Sequence, residues 1–192
     1  MNELLIRTVC VKLDVTGHKL ALGETQRRCN EAATWIASVC WDERITNSNT
    51  AHHRVYGDTR ASFGLGAHLS VCARAKAMEA VKATRAGEKN RMARWKVQCA
   101  RRRKAKKKML PPPEPVSCPE FGPRASIRYD ARTYRLLPLD KVSLNTLSGR
   151  VVCRMLPGEA GKGNTLTNPV RAPELALQRV YVRPHTPAAQ AG

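Results

Sequence analysis

The segment RRRKAKKK at 101–108 is cationic at every position except Ala105. Arg91, Arg94 and Lys96 lead into it. Clustered Lys and Arg of one sign repel one another unless phosphates or other anions neutralise them. A solvated charged face normally mixes its signs, and this one does not. The candidate polyanion contacts are therefore Arg91, Arg94, Lys96, Arg101, Arg102, Arg103, Lys104, Lys106, Lys107 and Lys108. The tract does not by itself choose between RNA and DNA. A disordered solubilising run is the duller alternative, but the tract sits mid-chain between stretches with structured patterning.

Other residue sets fall short of a site. Metal-assisted phosphodiester cleavage needs converging carboxylates, and the 15 Asp and Glu residues are scattered. Asp42 and Glu43, with Asp130, are the ones to try. Asp42 is expected to meet a nearby Arg, and Asp130 to lie in a turn between strands. His52 and His53 are adjacent, so on a helix they point about 100° apart and do not share a ligand easily; one buried and one exposed is the expectation. The glycine cluster GEAGKG at 158–163 lacks the four-residue gap and the Lys-Ser/Thr of a phosphate loop. Seven cysteines, Cys10 to Cys153, are widely spaced with no Cys-x-x-Cys pair. They read as small buried apolar groups rather than as a zinc site or a disulfide framework. No catalytic residue, metal or cofactor is expected.

The formal net charge of +19 and a pI near 10.3 speak for a polyanionic partner, nucleic acid before a membrane surface. No run approaches the ~20 apolar residues of a membrane span. LLIRTVCVKL near the start is broken by Arg7 and Lys12 and carries no cleavage site, so it does not read as a signal peptide.

The elements that must carry these residues follow from periodicity. Residues 4–13 have the β-branched content of a strand. Leu22, Cys29, Ala32, Ala33, Ile36, Val39 and Cys40 recur at helical spacing over 20–43, with Trp35 and Trp41 either completing the buried face or marking its rim. A second helix is capped by Asn49 or Thr50 and ends at Phe63-Gly64. A third begins near Leu65 and buries Leu69, Cys72, Ala73, Ala77, Ala80 and Val81, with Arg74, Lys76, Lys82 and Arg85 on its other face. The prolines of MLPPPEPVSCPEFGP preclude helix and favour an extended, polyproline-like linker. SIRYDARTYRLLPLDKVSLNTLSGRVV at 126–152 then alternates as β-strands. From Pro157 the chain has the composition of disorder, apart from a helical or extended piece near Leu175–Val182. The fold class expected is α+β.

Four stretches resemble the start of TnpB-type (OrfB) proteins of bacterial insertion sequences, RNA-guided endonucleases related to compact type V CRISPR effectors. They are VKLDVTGHKLALGETQRRCNEAATWIASVCWD with its Cys29-Asn30 pair, AHHRVYGDTRASFGLGAHLSVCARAKAMEAVKA, FGPRASIRYDARTYRLL and KVSLNTLSGRVV. The resemblance covers roughly residues 8–156. It implies a small β-barrel-like wedge domain from 1–15 and 121–156, with an inserted helical recognition lobe at 18–108 that ends in the basic tract. The Pro-rich linker is then 109–120, and 157–192 a disordered or frame-shifted tail. The implied partners are a transposon-derived guide RNA and double-stranded DNA, with Ser62, Phe63 and Gly66 placed at the flanking-DNA contact. Gly66 has no side chain, so any contact that a longer residue makes there is lost. The family's RuvC-like nuclease domain and zinc ribbon find no match in the chain. The expectation is thus a truncated, non-cleaving binding protein, cytoplasmic and nucleoid-associated in a prokaryote and without a membrane role. The alternatives are a decayed transposon remnant, or the binding half of a split enzyme with a separate nuclease-bearing chain.

Overall fold

The helical spacing read over 20–43 folds as α1 (Lys19–Asp42), and its expected core positions are buried except for half-buried Val39. The structure, a computed structural model, describes residues 11–156 and 180–182. α2 (Ser48–Phe63) starts two or three residues earlier than the sequence implies. Its cap is Asn47, not Asn49 or Thr50: the Asn47 side-chain oxygen accepts hydrogen bonds from the Asn49 and Thr50 amides at 2.8 and 3.2 Å. Gly64 ends the helix in the left-handed region at φ 63°, where a side chain would be strained. α3 (Ala67–Lys104) then runs unbroken for 38 residues. The change of character after Gly87 is one of burial, not of backbone, because a single interior glycine costs only about 1 kcal/mol. Before it α3 buries Leu69, Cys72, Ala73, Ala77, Met78 and Val81; after it, only Cys99. Ala80 is half-buried, and Met78 takes the place expected of it in the core.

Small side chains let α1 and α3 approach closely. Ala32, Ala33, Ala37 and Ala77 have no exposed surface, and Ile36 and Val81 fill the space between. Of the two places open to them, the aromatic Trp35 and Trp41 take the rim, half-buried.

The strands are β1 (Lys12–Asp14), β2 (Ile127–Tyr129), β3 (Tyr134–Leu137), β4 (Lys141–Thr146), β5 (Gly149–Leu156) and β6 (Val180–Val182). An open antiparallel sheet runs β1-β5-β4-β3. The expected pairing of the first strand with the returning strands is present, with Leu13 opposite Met155 across β1 and β5. The part of that strand at 4–10 lies outside the described residues. β2 does not join this sheet. The Asp130 carboxylate accepts the amides of Arg132 and Thr133, both at 3.0 Å, and folds the chain sharply between β2 and β3. β2 is thereby placed against α3, where Arg128 pairs with Glu79 at 2.7 Å. Its own partner is β6, with Arg128 opposite Tyr181. Of the two forms expected near Leu175–Val182, helical or extended, 180–182 takes the extended one, and the rest of 157–192 lies outside the described residues. Tyr129, with no exposed surface, crosses beneath the sheet and donates its hydroxyl to the Asn145 carbonyl at 3.1 Å.

Helices and sheet share one apolar cluster, from Leu22 and Ile36 to Leu144 and Cys153. A polar seam runs beside it that periodicity does not reveal. Asn30, fully buried, donates to the Pro123 and Ala125 carbonyls at 3.2 and 2.8 Å. Gln26 donates to Arg124 and Ala125 at 3.2 and 2.9 Å. Lys76 of α3 donates to Asn30 Oδ1 at 2.5 Å and to the Ser126 carbonyl at 2.7 Å, with its ammonium 4.3 Å from the centre of the Phe121 ring. The three basic residues placed on the solvent face of α3 besides Lys82 are thus structural. Arg74 holds the Ser48 carbonyl and hydroxyl, and Arg85 donates to the Trp41 carbonyl at 2.9 Å.

Burial pushes the Lys76 ammonium down to about 8, with the neighbouring Cys29 thiol working the other way. Between that value and the ordinary 10.5 the unfolded chain binds more protons, so Lys76 makes stability rise with pH above about 8. Cys29 and Cys72 are pushed up to about 12 and about 11 by burial, so their contribution is present below about 9 and lost as pH rises beyond it. Comparing the parent with Lys76→Met isolates the first effect. In urea unfolding, the parent should gain on the variant between pH 7 and 9.5; a flat difference would show that Lys76 is not desolvated. Separately, Asn47→Ala should cost about 1 kcal/mol of stability while Asn49→Ala costs less than about 0.5, measured by thermal melting.

Candidate nucleic-acid interface

The basic candidates do not form one patch, because the linker claims part of them. Arg102 Nε donates to the Lys108 carbonyl at 2.6 Å, Trp95 Nε1 to Leu110 at 3.3 Å, and Arg91 to Glu114. Further along, Phe121 reaches Lys76, and its amide donates to Thr34 Oγ1 at 3.0 Å. Residues 108–121 therefore run back along α3 from position 102 to position 76. That stretch of helix rises about 39 Å, so the linker advances about 3 Å per residue, the pitch of polyproline II. The linker is extended, as expected, but docked: it forms a strap. Arg91 and Arg102 are its fasteners rather than open phosphate ligands.

The remaining cations of the helical tract, Arg94, Lys96, Arg101, Arg103 and Lys104, are exposed on the part of α3 that leaves the core. Lys106, Lys107 and Lys108 are exposed just beyond the helix end. Lys82 and Lys89, outside the sequence-derived set, are exposed on the same helix. They extend the series Lys96 and Arg103 backwards at intervals of seven, a spacing visible in the sequence once the helix is known to be continuous.

A second basic surface depends on strand register, which the sequence does not reveal. On the sheet face opposite the core, Lys141 stands across from Arg154 and Asn145 across from Arg150. Arg135 lies across from Ser143 and Lys12 across from Leu156. Lys12, Arg135, Lys141, Arg150 and Arg154 are all exposed, with Asp14 the acid among them. Arg150 bonds to Ser143 Oγ at 3.2 Å and to the Arg132 carbonyl at 2.7 Å, which holds it flat on the sheet. Val152, 46% exposed, adds an apolar patch at the centre.

Ser62 and Phe63 close α2, and Gly66 caps α3. Ser62 and Gly66 are exposed, whereas Phe63 is half-buried with its ring 6.0 Å from Trp35. Ser62 and Phe63 border a shallow open depression with Glu24, Arg28, Gly64 and Leu147, whereas Gly66 lines a neighbouring one with Tyr56, Arg60 and Leu65. This junction and the basic tract are not brought together: Gly66 and Arg101 lie at opposite ends of α3, about 50 Å apart along its axis.

The carboxylates are likewise apart. Asp42 accepts from Ser38 Oγ at 3.3 Å rather than from an Arg, and Glu43 pairs with Arg54 at 2.7 Å. Asp130 sits in the turn expected of it; burial opposes its charge, but hydrogen bonds from Thr133 and Arg132 prevail and keep its carboxyl below the ordinary value. His52 is half-buried and His53 exposed, and burial, then Arg74 and His53, lower the His52 pKa. Among the described residues no three His, Cys, Asp or Glu side chains gather as a metal site. Cys29, Cys40, Cys72, Cys99 and Cys153 are buried free thiols, and Cys118 is half-buried; Cys10 and GEAGKG lie outside the described residues. No described helix is long and apolar enough to cross a membrane.

Comparison with protein-family models, with curated proteins and with solved structures found no match.

The division of the basic tract is directly measurable. Arg91→Ala and Arg102→Ala should loosen the strap and speed tryptic cleavage at 106–108 several-fold, whereas Arg94→Ala and Arg101→Ala should leave the cleavage rate unchanged.

Proposed function

We propose that this chain is a nucleic-acid-binding protein of TnpB-like type, which engages a guide RNA and duplex DNA and does not itself cut either. The observation that carries the reading is the separation of cations into fastened and free. Arg27, Arg28, Arg54, Arg74, Lys76, Arg85, Arg91, Arg102, Arg128 and Arg150 have protein partners. The cations that remain are concentrated on two exposed surfaces, the outer half of α3 and the outer face of the sheet. Each surface crowds charges of one sign together, and polyanions relieve that repulsion.

The sheet that joins β1 to β5 across the inserted helices has the order of parts expected of a TnpB-like wedge carrying a recognition lobe. On this reading the sheet's outer face serves the RNA and the helical lobe the DNA. The depression at Ser62 and Phe63, with Gly66 beside it, takes the flanking duplex, and the nuclease function belongs to another chain or segment. The carboxylates Asp42, Glu43 and Asp130 are each engaged by neighbouring side chains or amides, which favours binding over cleavage.

Binding should weaken linearly in log K against log salt. Each exposed cation neutralised should lower the slope by about 0.9 on duplex DNA or about 0.7 on a single strand. Fluorescence anisotropy with the charge-removing variants Lys96→Gln and Arg154→Gln measures this. Magnesium-dependent cutting by the purified chain, abolished by Asp130→Asn, would overturn the reading, as would the absence of any nucleic-acid binding at low salt.

A further inference from the structure

The outer half of α3 carries most of its free cations in two rows, with Lys104 between them at the helix end. Lys82, Lys89, Lys96 and Arg103 succeed one another at intervals of seven and are all exposed. Seven residues rise about 10.5 Å and return to within about 20° of the same direction, so these four form one row that drifts by about 60° around the helix from end to end. Arg94 and Arg101, again seven apart and exposed, stand about 160° around the helix from Lys96 and Arg103. Between the rows lies a narrow exposed ridge of Ala86, Asn90, Ala93, Val97 and Ala100. The strap covers the opposite side, through Trp95 and its neighbours.

We infer that this face of α3 enters the major groove of duplex DNA, with the two rows gripping the phosphate strands on either side and the ridge facing the base edges. The inference rests on the nucleic-acid reading above and narrows it. Two cation rows separated by a helix diameter match two phosphate rows across a groove about 12 Å wide, which admits an α-helix. A single strand offers only one phosphate row, and the major groove of A-form RNA is too narrow for side chains to read. The small side chains of the ridge allow close approach of the helix backbone. Ala86, Ala93 and Val97 suit thymine methyl groups, and Asn90 is the ridge residue able to bond an adenine edge at two positions. A second copy of this chain is a poor occupant, because both flanks of the seam would be positive in each helix. An acidic helix is the remaining competitor.

Anisotropy with a 20-base-pair duplex DNA, the same sequence as duplex RNA, and the single strand separates the cases. Dimethyl sulfate footprinting of guanine N7, which lies in the major groove, is run beside it. The expected result is at least ten-fold tighter binding to duplex DNA than to duplex RNA, with N7 protection. The pairs Lys89→Gln with Lys96→Gln, and Arg94→Gln with Arg101→Gln, should each lower the DNA salt slope by about 1.8, two phosphates' worth, with unchanged thermal melting. Asn90→Ala should lose discrimination at an adenine without changing the slope. Equal binding to duplex RNA without N7 protection would overturn the groove assignment and leave nucleic-acid binding standing. Loss of all nucleic-acid binding in the parent would overturn both. Preferential capture of an acidic helical peptide, abolished by the same double variants, would overturn it in favour of a protein partner.

Discussion

One desolvated ammonium governs how the two halves of this protein meet. Lys76 leaves α3, passes over the Phe121 ring and ends between Asn30 and the Ser126 carbonyl. An ammonium is tolerated away from water only where its donors are met. The helix-to-sheet approach is therefore constrained by chemistry as well as by shape. The apolar cluster that α1 and α3 share with Tyr129 and Leu144 supplies the main driving force, which is nondirectional. Lys76, Asn30 and Gln26 select one of the many packings open to that cluster, because a shifted packing would strand a half-buried charge and two buried amides.

The same constraint determines which positive charges remain available. A net charge of +19 suggests a uniformly sticky surface. The structure instead uses several arginines and a lysine as internal ties to carbonyls. Arg74, Arg85, Arg91 and Arg102 bond to backbone oxygens, each linking segments distant in sequence or securing a chain reversal. What is left for a partner is smaller than composition implies and much better ordered.

Much of this was legible in the sequence. Helical periodicity marked α1 and the packed half of α3, and strand alternation marked β3 to β5. Gly64 and the proline run set boundaries for local reasons that hold in any context. Three features were hidden because they depend on contacts between distant residues. Asn47 caps α2 although Asn49 and Thr50 have the same capacity, and only the chain's exit from α1 decides among them. Lys76 reads as a solvent-facing cation from spacing alone, since its partners lie 46 and 50 residues away. Register in the sheet, which gathers Arg135, Lys141, Arg150 and Arg154 on one face, requires the pairing itself. The loss of β2 to a separate pairing with β6 likewise reflects the Asp130 turn and the pull of α3, which outweigh its alternating pattern.

The docked strap also has a mechanical meaning. A lone helix extending some 30 Å beyond its last packed turn, Val81 to Arg103, would bend under a load at its tip and take up the displacement along its own length. With a polyproline-like segment fastened alongside, the projection becomes a two-ply beam, anchored at the Lys76 seam. Force applied near Arg101 is then delivered as torque at the junction of α1, α3 and the sheet, so a partner pulling on the far end would be felt where the helices meet the strands.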